Sequence, residues 1–188
     1  MGQSEELRTS LFTEPGPRNT DATLEAAAER AASLGIEQMV VATSSGSTAL
    51  EATRKFTGRV IAVTLSAGHW ERYSPPDPEI IEQCRERGVE VLTGTHTLLG
   101  GIDGALRSIG GVAAAEIIAR TFYMIGQGAK VAVECALMAA DAGMLEMDHE
   151  AITIAGTGGG ADTALVVTPA FSNTAFDLRI HEFIAMPR

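Results

Sequence analysis

The feature that most constrains this chain is the alternation of short, strand-like apolar runs with longer segments of helical period. QMVVAT (38–43) carries no polar–apolar alternation, and RVIAVT (59–64), VEVLTG (89–94) and AITIAG (151–156) read as further strands. Strands of that kind are buried on both faces, as in a parallel sheet covered by helices. Between them lie helical patterns. In NTDATLEAAAERAASLG (19–35), Leu24, Ala27, Ala28, Ala31 and Leu34 share one face, and Gly35 is placed to end the helix. Asn19, Thr20 or Asp21 can cap its start. Residues 48–56 read as a helix. Asp77 and Pro78 read as the cap and first residue of another, which Gly88 ends. VAAAEIIARTFYMIG and KVAVECALMAADAG read as two successive helices, and Val131 and Val133 leave a short strand at the start of the second open. TALVVTP and DLRIHEFIAMP read as closing strands. Strand–helix–strand alternation gives an α/β fold of three layers, α/β/α, around a mostly parallel sheet. The 188 residues suit a single domain spanning 1–188.

Charge and composition narrow the function classes. The formal net charge is −10, with no basic stripe, which disfavours nucleic acid and anionic membrane as partners. No apolar run approaches the ~20 residues of a membrane span. The start, MGQSEELRTS, lacks a signal-peptide core, and Glu6 stands where a myristoylation signal wants Ser or Thr. Cys84 and Cys135 fall in apolar helical patterns and read as reduced core thiols, so the expected compartment is the cytoplasm. An anionic ligand of such a chain has to be held by local donors. Apolar helices such as 112–126 are expected to bury a homo-oligomer interface.

The densest cluster of local donors is TSSGSTA (43–49). Thr43, Ser44, Ser45, Gly46, Ser47 and Thr48 follow an apolar strand and open a helix. In an open α/β sheet, ligands bind beyond the carboxyl ends of the strands. Gly46 lets the backbone approach a ligand, and unpaired N–H groups favour a phosphate. The spacing is not that of a P-loop. The bland reading is a strand–helix turn with Ser or Thr as cap. A second cluster is AGTGGGADTALVV. Gly158, Gly159 and Gly160, with Ala161 and Asp162, lie between two apolar strands and suit either a close ligand approach or a hairpin loop.

The four histidines, His69, His96, His149 and His181, show no metal-ligand spacing, and no metal site is expected. His69 and His96 lie in loops after strands and can face a ligand. Glu134 in an apolar helix is either a buried, paired carboxylate or a solvent-facing one. Lys130 at that helix start either offsets an anion's charge or, as the safer reading, is a surface lysine. No nucleophile elbow is present, so no catalytic residue is assigned; His96 or His69 as a base in a hydrolase or transferase has no nucleophile beside it.

VVATSSGSTALEATRKFTGRVIAVT resembles the effector-binding segment of the pyruvate kinase C-terminal domain. ITIAGTGGGADTALVV resembles the end of that domain. The similarity covers most of residues 38–167. PGPRNTDATL, RAASLGI, TSSGSTA, GGADTALVV and the terminal FIAMPR together resemble the stand-alone pyruvate kinase alpha/beta domain-like proteins of the FMN-binding archaeal type. That resemblance implies bound FMN, possession of a phosphorylated small-molecule ligand, and no particular reaction. It implies that residues 43–48 cradle the phosphate, that Asn19 and Thr20 reach the ribityl chain or phosphate, and that Gly158 to Asp162 line the other side. Thr95 and His96 would border the isoalloxazine or a substrate. Nothing in the 188 residues resembles the catalytic barrel, so kinase activity is not implied. The chain departs from the group at TGGGAD, which has no Arg or Lys where a member can carry a charge. Two functions follow: a flavin-binding protein, with or without flavoenzyme activity, or a phosphometabolite-sensing module without chemistry.

Overall fold

A computed structural model describes residues 6–188; the Met-Gly start on which the lipidation reading turns lies outside the described residues. Seven strands form one sheet: β1 (Ser10–Phe12), β2 (Gln38–Ala42), β3 (Arg59–Thr64), β4 (Glu90–Thr93), β5 (Ala151–Ala155), β6 (Thr163–Thr168) and β7 (Arg179–Pro187). Their order is β1-β7-β6-β5-β2-β3-β4. β2–β3, β2–β5, β3–β4 and β1–β7 pair in parallel, whereas β5–β6 and β6–β7 are antiparallel. Every residue of β5 is buried, as its unbroken apolar run predicts.

Among the described residues six α-helices cover the faces: α1 (Thr20–Leu34), α2 (Ser47–Ala52), α3 (Pro78–Glu86), α4 (Gly101–Ser108), α5 (Ala114–Tyr123) and α6 (Gln127–Asp141). One core cluster packs Leu24, Ala27 and Ala31 of α1, Ala49 and Ala52 of α2 and Cys84 of α3 on one face of the sheet. The other packs Ala119 of α5 and α6 from Ala132 to Ala140 on the opposite face. The result is the three-layer α/β/α fold with a mostly parallel sheet.

Local signals were sound at several ends. The Asp77 carboxylate accepts from the N–H groups of Glu79 and Ile80 at 2.9 and 3.3 Å, with Pro78 at the first helical position. Gly35 ends α1 in the left-handed region at φ 70°. Other expectations need correction. The 48–56 helix is shorter, ending at Ala52 and continuing as turns. Residues 127–141 are helical throughout, with no strand at their start. The glycine-rich stretch 94–111 contains α4, and β1 appears where no strand was expected.

Candidate functional site

Chain direction gathers the site. β2 leads through α2 to β3 on one side, while β5 pairs with β2 on the other, so the carboxyl ends of β2 and β5 flank the point where the strand order reverses. Such a point opens a crevice at the strand ends. A cavity of about 700 Å³ lies there. The turns after β2, β3 and β5, the loop after β4 and the amino end of α6 border it. A second cavity of about 590 Å³ adjoins it, sharing His69, Leu99 and Arg107.

The turn after β2 is preshaped by its own hydroxyls. The Gly46 N–H donates to Thr43 Oγ1 at 3.0 Å, and the Ser45 and Ser47 hydroxyls lie 2.9 Å apart. Gly46 sits at φ 105°, and a Cβ there would come within 3.0 Å of Ile80 and Ile81 on α3, so only glycine suits this turn. Thr43, Ser44, Ser45, Ser47 and Thr48 all line the larger cavity; Gly46 shapes the turn from behind.

The glycine loop is a hairpin connection between β5 and β6, held by Asp162. This carboxylate is fully buried. Its Oδ2 accepts from the N–H groups of Gly16 and Thr157 at 2.9 and 3.1 Å, and Oδ1 from the Thr163 hydroxyl at 2.9 Å. Gly158, Gly159 and Gly160 line the cavity at φ 73°, 128° and 60°. Asp162 and the buried Ala161 do not; they anchor the loop. Asn19 and Thr20 also lie outside the lining. The Asn19 amide donates to the Glu14 carbonyl at 2.8 Å, and Thr20 Oγ1 accepts from the Ala161 N–H at 2.9 Å. Both bind the protein's own backbone.

The opposite wall comes from α6 and the loop after β4. Glu134 is 1% exposed and, among the described residues, is the only carboxylate lining the cavity. Its Oε1 accepts from the Leu98 and Leu99 N–H groups at 2.7 and 3.2 Å. Its Oε2 meets His96 Nδ1 at 3.3 Å and the Lys130 ammonium. Burial pushes the Glu134 carboxyl up, but the His96 hydrogen bond and the Lys130 charge outweigh it and draw the carboxyl down to about 2. Lys130 corrects the surface reading: it is 4% exposed, one turn from Glu134, and lines the cavity. Thr95 lines only the adjoining cavity, with Gly100 and Gly101 at the start of α4.

Sequence reasoning missed Arg72, Arg107, Tyr73, Tyr123 and Gln127, which also border the larger cavity. The Arg72 guanidinium stands 5.3 Å from the Tyr73 ring centre. The Lys130–Glu134 spacing of four was the one local signal for that pair. Cys135 reaches the wall as a thiol, since burial and the Glu134 charge push its ionisation up more than Lys130 lowers it. Cys84 is a buried free thiol whose Sγ donates to the Gly46 carbonyl of the turn at 3.5 Å, and its ionisation is likewise pushed up by burial.

With Lys130 and Glu134 offsetting each other, the uncompensated charge around the cavity is that of Arg72 and Arg107, in a chain of net charge −10. Hydroxyls, guanidinium groups and glycine backbone form a donor set for an anion. Among the described residues no group of three or more His, Cys, Asp or Glu side chains gathers as a metal site, and no helix is long and apolar enough to cross a membrane.

A family model described as "Pyruvate kinase, alpha/beta domain" matches residues 21–167. That span runs from α1 through β6 and holds both the turn after β2 and the glycine loop. On this match the chain belongs to the pyruvate kinase alpha/beta domain family.

Proposed function

We propose that the protein binds a phosphorylated mononucleotide, FMN in particular, in the cavity at the carboxyl ends of β2 to β5. The observation that carries this reading is the meeting, in one cavity, of the hydroxyl-rich turn 43–48 with Arg72, Arg107 and the glycine loop. The residues fit the group. The volume of about 700 Å³ lies within the ~300–1,000 Å³ range of small-molecule sites. The Ser45, Ser47 and Thr48 hydroxyls and the Arg72 and Arg107 guanidinium groups suit a phosphate, while Tyr73, Tyr123 and the two imidazoles offer ring faces to a planar system. When bound, FMN supplies redox chemistry; the protein supplies binding and orientation.

The test is a titration with FMN followed by flavin fluorescence, with riboflavin as the control that lacks the phosphate. The expected result is saturable FMN binding, weaker riboflavin binding, and loss of FMN binding in Ser47→Asp with an unchanged circular dichroism spectrum. Wild-type protein that binds no FMN overturns the reading.

A second reading is a phosphometabolite-sensing module without chemistry. It is favoured by the state of the wall: Glu134 is tied up by four donors and Cys135 is held as a thiol, leaving no activated nucleophile there. Turnover of NADH or NADPH by the FMN-loaded protein would exclude it.

A further inference from the structure

Among the described residues, two buried side-chain polar atoms have no hydrogen-bond partner: His96 Nε2 and Thr97 Oγ1. They are neighbours in the loop after β4. An orphaned buried polar group is destabilising, so a pair of them in one loop calls for a reason.

His96 is held from behind. Its Nδ1 lies 3.3 Å from Glu134 Oε2, and Glu134 is fixed in turn by the Leu98 and Leu99 N–H groups and by Lys130. A carboxylate can only accept, so the Nδ1 proton is committed to it. In the neutral form of the imidazole Nε2 is then a bare acceptor, and His96 itself lines the larger cavity. The His69 ring stands edge-on to it, centroids 5.6 Å apart, and is anchored at its own Nδ1 by the Ser66 hydroxyl at 2.8 Å. Nε2 is sealed from solvent, so a ligand atom reaches it by displacing a neighbouring side chain; His69, on the loop after β3, is the ring in contact.

We infer that His96 Nε2 is a recognition atom, and that the cavity takes a phosphorylated ligand that also carries an N–H or O–H donor away from its phosphate. This rests on the phosphate-binding reading of the same cavity and deepens it. Inorganic phosphate, which satisfies only the turn 43–48, leaves Nε2 an orphan.

The test uses protein labelled with ¹⁵N-histidine at pH 8. Long-range ¹H–¹⁵N correlation should show His96 as the Nδ1–H tautomer, and saturation with FMN should move its Nε2 resonance whereas inorganic phosphate should not. His96→Phe should weaken FMN binding about 5- to 100-fold and leave competition by inorganic phosphate unchanged. The amide spectrum of the variant checks its fold. Wild-type protein that binds no FMN removes the underlying function. FMN binding with an unmoved Nε2 resonance overturns this inference alone, as does a His96→Phe variant that binds FMN like wild type.

Discussion

Lys130 and Glu134, one turn apart on α6, form an ion pair whose side chains are 5% and 1% exposed. A buried pair is costly to break because the survivor keeps an uncompensated charge.

Glu134→Ala should therefore destabilise the protein by about 3–5 kcal/mol. It also orphans the Leu98 and Leu99 N–H groups. The double variant Lys130→Met/Glu134→Gln should recover part of that loss, since Gln still accepts from Leu98 and no bare charge remains. Urea denaturation of wild type, Glu134→Ala and the double variant measures this. Equal stability of Glu134→Ala and wild type would show that the pair contributes nothing.

The same carboxyl sets an acid limit. Its folded value of about 2 lies below the ordinary 4.5. A depressed folded value adds stability above the unfolded value, and that stability fades as pH falls from about 4.5 towards 2. The pH dependence of unfolding over this window should be shallower in Glu134→Gln than in wild type. Parallel curves would assign the acid limb to other groups.

Asp162→Ala removes the acceptor for the Gly16 and Thr157 N–H groups and for the Thr163 hydroxyl. The expected cost is about 2–3 kcal/mol, with faster amide exchange at Gly16 and Thr157. Protection unchanged at both amides would contradict the anchoring role.

The three loop glycines should form a ladder. A Cβ at Gly158 or Gly159 meets nothing within 4 Å, so alanine there suffers mainly the positive φ, about 1–2 kcal/mol. At Gly160 a Cβ would stand 2.4 Å from Thr20 Oγ1 and 2.8 Å from Pro17 Cα, and backbone must move. Thermal unfolding of Gly160→Ala should fall well below the other two. A uniform loss would mean that conformation alone matters.

The expected homo-oligomer has a surface on which to be tested. Ile102, Ile109, Val112, Ile117 and Met124, on α4, α5 and their flanks, are all at least 60% exposed. Apolar exposure of this density is uncommon on a monomer. Light scattering should give a mass above 19.7 kDa, and Ile109→Lys with Met124→Lys should lower it. A wild-type mass of 19.7 kDa removes the expectation.

Much of the fold was legible because its signals are local. Unbroken apolar runs marked β2, β3 and β5, Asp77-Pro78 marked the start of α3, and Gly35 marked the end of α1. The turn 43–48 declared its donors by composition alone. β1 was not legible, since three residues at a sheet edge, two of them exposed, carry no period. α4 was hidden because Gly101 and Gly104 lower helix propensity. The charge of Lys130 argued for the surface, and its burial became visible only once α6 met the loop after β4. Asn19, Thr20 and Asp162 are polar for internal reasons, which composition does not separate from a ligand contact.

β1 and β7 lie parallel, with Ser10 opposite Ala185 and Phe12 opposite Pro187, and the Arg188 N–H adds a bond to the Phe12 carbonyl at 2.9 Å. In a parallel pair the start of one strand and the finish of the other face opposite ways. A pull between Ser10 and Pro187 therefore loads this short ladder in shear, so its bonds strain together instead of peeling one by one, and the closing edge of the sheet resists stretching as a clasp rather than a zipper.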